Sequence, residues 1–172
     1  MLKSLKNKKP INILFICSGN IMRSPIAEML FEKLLTENYG ETWRDKISVA
    51  SGGVRFKNSQ IFPLTRDLLL SEGIPAARIA QFKPRHIEDH PELFAEADLI
   101  LAMTKGQIKR LLNYEPNYDS KTILFTKFIS DKRPIPDPWF SLRRKKALQE
   151  VAETIKAGQE GLLKKLKEEG IL

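Results

Sequence analysis

Read from its N-terminus, the chain alternates short unbroken apolar runs with longer stretches in which apolar residues recur at helical spacing. Residues 11–16, interrupted only by Asn12, read as a short buried strand that stops at Cys17. Residues 46–50, 98–103 and 122–125 read as three more strands, and 98–103 is nearly all apolar, as a buried parallel strand requires. Between them, the spacing predicts a helix from Pro25 to Tyr39, with Ile26, Met29, Leu30, Phe31, Leu34 and Leu35 on one face and Gly40 at its end. Further helices are predicted over residues 63–72, stopped by Gly73, and over 91–96, 105–113 and 142–169. Ser141 is the expected cap of the last of these, and Gly158 and Gly161 weaken its middle. Ser51-Gly52-Gly53 reads as a loop. Residues 54–60 lack a clear period, 74–87 are irregular with two prolines, and 129–138 form a proline-bearing loop in which Asp131 has no more than a loop role. Strands alternating with helices predict an α/β fold, a parallel sheet covered by helices on both faces.

Length and composition narrow this. With 172 residues the chain suits one domain, expected over 11–172 behind a flexible basic tail at 1–10. The single cysteine excludes an internal disulfide framework and any multi-cysteine zinc site, which fits a reducing, cytoplasmic setting. No apolar run is long enough to span a membrane, so a soluble protein is expected. The formal net charge of +8 sits largely in Lys3, Lys6, Lys8, Lys9 and the run Arg143 to Lys146. No nucleic-acid motif accompanies it; the excess reads as solvated surface that also steers phosphorylated proteins inward.

The chemistry concentrates after the first strand, where Ser18, Gly19, Asn20, Ile21, Met22 and Arg23 lead into Ser24-Pro25. Ser24 as N-cap and Pro25 as first helical residue would start the helix there. A loop tied to a helix N-terminus suits a phosphate, because the first backbone N–H groups have no internal partners and the macrodipole is positive. Gly19 and Asn20 tolerate positive φ, which lets loop amides turn towards one point. Arg23 would offer its planar fork to two phosphate oxygens, and the same field favours the thiolate form of Cys17. A bare Cys-x5-Arg is more often a core thiol and a helix-entry arginine, but here Gly, Asn, Arg, Ser and Pro all fall where a phosphate loop needs them. Late in the chain, Asp137 stands before Pro138 in a rigid loop that suits a general acid held over a site.

The run CSGNIMRSPIAE resembles the signature of the low-molecular-weight protein tyrosine phosphatases, C-x-G-N-x-x-R-S-P-x-A-E, at every fixed position. The resemblance continues in Ser51-Gly52, in ADLILAM (residues 97–103) and in Asp137-Pro138-Trp139, which matches the family's Asp-Pro-Tyr or Asp-Pro-Phe. It implies a four-stranded parallel sheet in the order 2-1-3-4, of the phosphotyrosine phosphatase I-like type. It also implies hydrolysis of phosphotyrosine through a phosphocysteine intermediate, with Cys17 as nucleophile, Arg23 and the amides of Ser18 to Met22 on the phosphate, and Asp137 as acid and then base. Asn20, Ser24 and Ser51 would support the loop, and Ile21, Trp139, Phe140 and Phe56 would wall the substrate. An apolar residue at position 21 looks like the phosphotyrosine enzymes, whereas relatives acting on phosphoarginine carry Thr there. A histidine that some relatives add to the loop network is matched here by Phe82, leaving His86 and His90 as surface or loop residues. Met22 stands where many relatives carry a second cysteine, so a protective disulfide with Cys17 is impossible and its oxidation would need another rescue. Ser18 replaces a bulkier residue and would widen the mouth.

No metal or organic cofactor is expected, since the loop supplies the charge a metal would. The partner expected is a phosphotyrosine-containing protein, with no nucleic acid or membrane partner and a monomeric state. Two other readings compete: an arsenate reductase-like oxyanion enzyme, which would need an external thiol, and a non-catalytic basic phosphate-binding module.

Overall fold

A computed structural model describes residues 2–130 and 134–172, so Asp131 lies outside the described residues. Four strands, β1 (Ile11–Cys17), β2 (Ile47–Gly53), β3 (Leu99–Ala102) and β4 (Thr122–Leu124), form one sheet in the order β2-β1-β3-β4. Every pairing is parallel, with Ile11 beside Ile47, Ile13 beside Leu99 and Ile100 beside Thr122. The helices are α1 (Arg23–Tyr39), α2 (Pro63–Ser71), α3 (Ala76–Gln81), α4 (Pro91–Glu96), α5 (Lys105–Tyr114) and α6 (Arg144–Glu168).

The period of two along the central strands separates two cores. Ile11, Ile13, Phe15, Leu99 and Leu101 face α1 and α6, whereas Leu14, Ile16, Ile100 and Ala102 face Phe94 of α4 and Leu111 of α5. Helices therefore cover both faces, and the expected architecture and strand order hold. Phe15 anchors the larger core through edge-on contacts with Phe31 and Phe125, at ring-centroid distances of 5.9 and 5.3 Å.

Several local expectations need correction. The first helix starts at Arg23, with Met22 in the capping position, so Ser24 is not the N-cap. Pro25 is tolerated there because its missing N–H belongs to the first turn, where no intrahelical acceptor exists anyway. Nor does α1 bury one face only: residues 23–31 are buried all round, between the sheet, α2 and α6. β2 runs straight through Ser51-Gly52-Gly53, the presumed loop. Gly52 is needed there because a Cβ would lie 2.6 Å from the Phe94 ring, a close approach that only glycine permits.

The irregular region 74–87 contains α3, whose six residues bury only Ile79 and so show no period. α6 begins at Arg144, two residues later than expected; the Ser141 hydroxyl accepts from the Arg143 N–H at 3.1 Å, in a turn ahead of the helix. At the N-terminus, residues 2–5 make a 3-10 turn with Leu2 buried against the larger core, and Lys8 pairs with Asp98.

Candidate active site

β1 ends at the carboxyl edge of the sheet, beside its junction with β2 and β3, which is where ligands sit in open parallel sheets. From there the chain turns through residues 18–22 into α1. The carbonyls of this turn are taken from outside: Val54 N–H donates to Cys17 O (3.1 Å), Arg55 and Phe56 N–H to Ser18 O (2.9 and 3.0 Å), Phe62 N–H to Ile21 O (3.3 Å) and Ile26 N–H to Met22 O (3.1 Å). Asn58 Nδ2 adds a bond to Gly19 O at 2.8 Å. With the carbonyls held outward, the loop amides are free to point inward. Asn20 takes φ = 54°, a left-handed conformation that asparagine accepts and that reverses the loop.

Cys17 lies at the floor of this turn. Its Sγ accepts hydrogen bonds from the Ser24 hydroxyl at 3.0 Å and the Asn20 N–H at 3.3 Å, two donors that stabilise negative charge on sulfur. Asn20, fully buried, joins the loop to the sheet: its Nδ2 donates to Ser24 Oγ (2.9 Å) and Ser51 Oγ (2.7 Å), and its Oδ1 accepts from Arg85 N–H (2.8 Å). Ser51 hands the chain of bonds on to Glu28 Oε2 at 2.5 Å.

Glu28 is 3 % exposed and sits between two guanidiniums, Arg85 at 2.6 Å and Arg78 at 2.5 Å. Burial pushes its carboxyl above the usual carboxylate range, against the pull of Arg85, Ser51 and Arg78. The signature carries Glu28, but sequence reasoning assigned it no role, and it missed Arg78, Arg85 and Asn58 altogether. These residues lie 39 to 65 positions from the ones they hold, as in Asn20–Arg85, where 85 − 20 = 65; no local pattern connects them.

Asp137 approaches from the opposite side. Its loop is pinned by two buried side chains, Ile135 and Pro138, and its Oδ1 accepts from the Trp139 N–H at 3.1 Å. Its Oδ2 accepts from Arg23 Nη2 at 2.5 Å. The Arg23 side chain is 4 % exposed, so the chain holds a positive charge at the cleft floor and closes it with the Asp137 carboxylate. Cys17, Arg23 and Asp137 line one cavity of about 430 Å³ together with Ser18, Gly19 and Ile21. Met22, Phe56, Trp139 and Phe140 complete the same cavity with Lys57 and Asn58. Trp139 is fixed by an edge-on contact with Phe62, ring centroids 5.7 Å apart, and by the Arg144 guanidinium over its ring at 5.0 Å. Phe140 is 83 % exposed and Phe56 53 %, so both stand at the mouth.

His86 and His90 lie outside this cavity. His86 is buried, with Nδ1 accepting from the Glu88 N–H at 3.3 Å, and burial lowers its pKa below 6.5. Among the described residues, no group of three or more His, Cys, Asp and Glu side chains is arranged to hold a metal ion, and no helix is long and apolar enough to cross a membrane.

A thiol with two donors, a buried guanidinium, inward amides and a facing carboxyl make a cradle for a tetrahedral oxyanion with a nucleophile beneath it. Comparison with known proteins agrees. Residues 12–171 match the family model described as low molecular weight phosphotyrosine protein phosphatase. The low molecular weight phosphotyrosine protein phosphatase of Pongo abelii is 37 % identical over 101 residues, 58 % of this chain and 59 % of that protein, so the match spans under two thirds of that relative. The low molecular weight protein-tyrosine-phosphatase YfkJ of Bacillus subtilis is 29 % identical over 164 residues, covering 92 % of this chain and 97 % of its own. The crystal structure of YfkJ superposes with a TM-score of 0.80 at 26 % identity, over 95 % of this chain and 98 % of that one. The YwlE arginine phosphatase from Geobacillus stearothermophilus gives 0.69 at 27 % identity, over 92 % and 97 %.

Proposed function

The chain belongs to the low molecular weight phosphotyrosine protein phosphatase family, and from that premise we propose that it hydrolyses phosphotyrosine monoesters in proteins through a phosphocysteine at Cys17. The observation that carries the reading is the convergence of Cys17 Sγ, Arg23 and Asp137 on one cavity.

An incoming phosphate takes over the Arg23 fork and the amides of residues 18–22, and so displaces Asp137 from Arg23. Cys17 Sγ attacks phosphorus in line; the S–P bond forms as the bond to the tyrosyl oxygen breaks, and Asp137 gives that oxygen its proton. Asp137 then takes a proton from water, whose oxygen attacks phosphorus and releases the sulfur. The Ser24 hydroxyl and Asn20 N–H stabilise sulfur as it leaves. Ile21, Phe56, Trp139 and Phe140 supply an apolar depth that suits an aromatic leaving group. The family resemblance at Ile21 favours phosphotyrosine over the phosphoarginine named for the YwlE enzyme.

The same reading has the protein acting as a cytoplasmic monomer on phosphotyrosine-containing proteins, with neither nucleic acid nor membrane as partner and no cofactor. The absence of a second cysteine weighs against arsenate reduction without an external thiol. Hydrolysis of p-nitrophenyl phosphate tests the proposal: wild type turns it over and Cys17→Ser does not. A folded wild-type protein inert towards it, yet tightly bound to DNA at moderate salt, would favour the binding module instead. Parallel assays with phosphotyrosine and phosphoarginine peptides decide the substrate.

A further inference from the structure

A second cavity, of about 320 Å³, adjoins the catalytic one, and Ser18 lines both. The partition between them is thin: Ser18 O accepts the N–H groups of Arg55 and Phe56, and of these two neighbours Phe56 lines the catalytic cavity while Arg55 lines the second. Arg55, Lys109 and Arg110 surround this second cavity, and no carboxylate lines it. Across the described residues neither Arg55 nor Lys109 has an ion-pair partner; Arg55 only stacks over Phe56, its guanidinium 4.8 Å from the ring centroid. Arg110 spends its Nε on Val54 O at 2.7 Å, which aims the guanidinium and leaves its other donors without a partner among the described residues. At the inner wall stands Gln107, 4 % exposed. Its Oε1 is committed to the Met103 and Thr104 N–H groups at 3.0 and 3.1 Å, but its Nε2 makes a single long bond, 3.5 Å, to Ser18 Oγ.

Lys57, in the neighbouring catalytic cavity, is by contrast neutralised by Glu88 and Asp89. Three cations without a carboxylate, beside a buried amide with donor capacity to spare, therefore form an anion-binding surface. We propose that this cavity is a specificity subsite that takes the carboxylate of an Asp or Glu flanking the phosphotyrosine of a protein substrate. The inference rests on the phosphatase reading of the neighbouring cavity and names the substrate class for it. An extended peptide advances roughly 3.3 Å per residue; because the cavities share Ser18, an acidic side chain one to three residues from the phosphotyrosine reaches the second while the phosphate occupies the first.

The test compares kcat/KM for two tyrosine phosphopeptides that differ only in carrying Glu or Gln at the three positions on either side of the phosphotyrosine. Wild type is expected to favour the Glu peptide by about three- to tenfold, through KM, with the preference shrinking as salt rises, since rim charges contribute little each and are screened. The ratio is expected to collapse to about one or invert in Arg55→Glu/Lys109→Glu; being a ratio, it is untouched by any general loss of activity. Lys145→Glu, in the first turn of α6 and lining neither cavity, is expected to keep the preference, which separates a local subsite from attraction by the net charge. Equal rates for both peptides in wild type, or a preference retained in the double variant or lost equally in Lys145→Glu, would overturn the subsite. If wild type fails to hydrolyse p-nitrophenyl phosphate, it is the phosphatase reading that fails, and the subsite with it.

Discussion

Arg23 serves two anions with one guanidinium. Its Nη2 lies 2.5 Å from Asp137 Oδ2, so the phosphate of a substrate competes with a carboxylate already in place. Asp137→Asn removes that competitor and the acid together. Its kcat on p-nitrophenyl phosphate is expected to fall by about 10²-fold or more, the range of a lost general acid. Orthovanadate is expected to bind about fivefold tighter, ~1 kcal/mol for a partly exposed ion pair. Isothermal titration alongside the rate assay checks both, and unchanged vanadate affinity would mean that the pair does not hold the cleft. His86 yields a pH prediction. Burial lowers its pKa below 6.5, so the folded chain binds fewer protons than the unfolded chain just below that value, and stability falls with pH there. The thermal unfolding midpoint is expected to drop between about pH 7 and about pH 5, and to drop less in His86→Gln. At this scale the signature made Cys17, Asn20, Arg23 and Ser24 legible, because they serve one loop within eight positions. Arg78, Arg85 and Asn58 were not, since each meets its partner only through the fold.

Elements explain what propensity alone misreads. Gly158 and Gly161 look like flaws in α6, and alanine at either would gain up to about 1 kcal/mol of helix propensity. In the fold, however, a Cβ at Gly158 would lie 2.7 Å from the Phe125 ring, and one at Gly161 only 2.0 Å from the Phe128 carbonyl oxygen. Overpacking of this kind costs typically ~1–3 kcal/mol, so the steric term wins. Gly161→Ala is expected to destabilise the protein by about 2 kcal/mol in urea denaturation, and any stabilisation would contradict the close approach of α6 to residues 125–128. The same reasoning accounts for β2: Ser51-Gly52-Gly53 reads as a turn, yet its glycines let the strand lie under Phe94 and close to the loop backbone, from which a Cβ at Gly53 would be only 3.2–3.3 Å. Strand order, by contrast, was accessible through the family resemblance, and the two-faced burial followed from the apolar runs of β1 and β3.

Across the whole molecule, the site is one end of a bonded chain that runs from Cys17 through Ser24, Asn20, Ser51 and Glu28 to Arg78 and Arg85. Glu28 is the hub. Glu28→Ala leaves the Arg85 guanidinium and the Ser51 hydroxyl without their carboxylate, while Arg78 keeps Glu32, and is expected to cost about 3 kcal/mol, the lower end for breaking a buried ion pair because both arginines are partly exposed. Activity is expected to fall with it, since Ser51, which holds the Asn20 side chain, loses the acceptor that orients its hydroxyl. The net charge of +8 pointed to an anionic partner without locating it; only the fold separates paired lysines such as Lys57 from the unpaired Arg55 and Lys109. The central claim is that Cys17 carries the phosphoryl group between two displacements. Acid-quenching the wild-type protein during turnover of p-nitrophenyl phosphate and mapping the adduct by mass spectrometry tests it most directly: a single phosphate on the peptide containing Cys17, absent in Cys17→Ala, is the predicted result. Steady turnover with no phosphorylated Cys17, or with the phosphate on another residue, would contradict it.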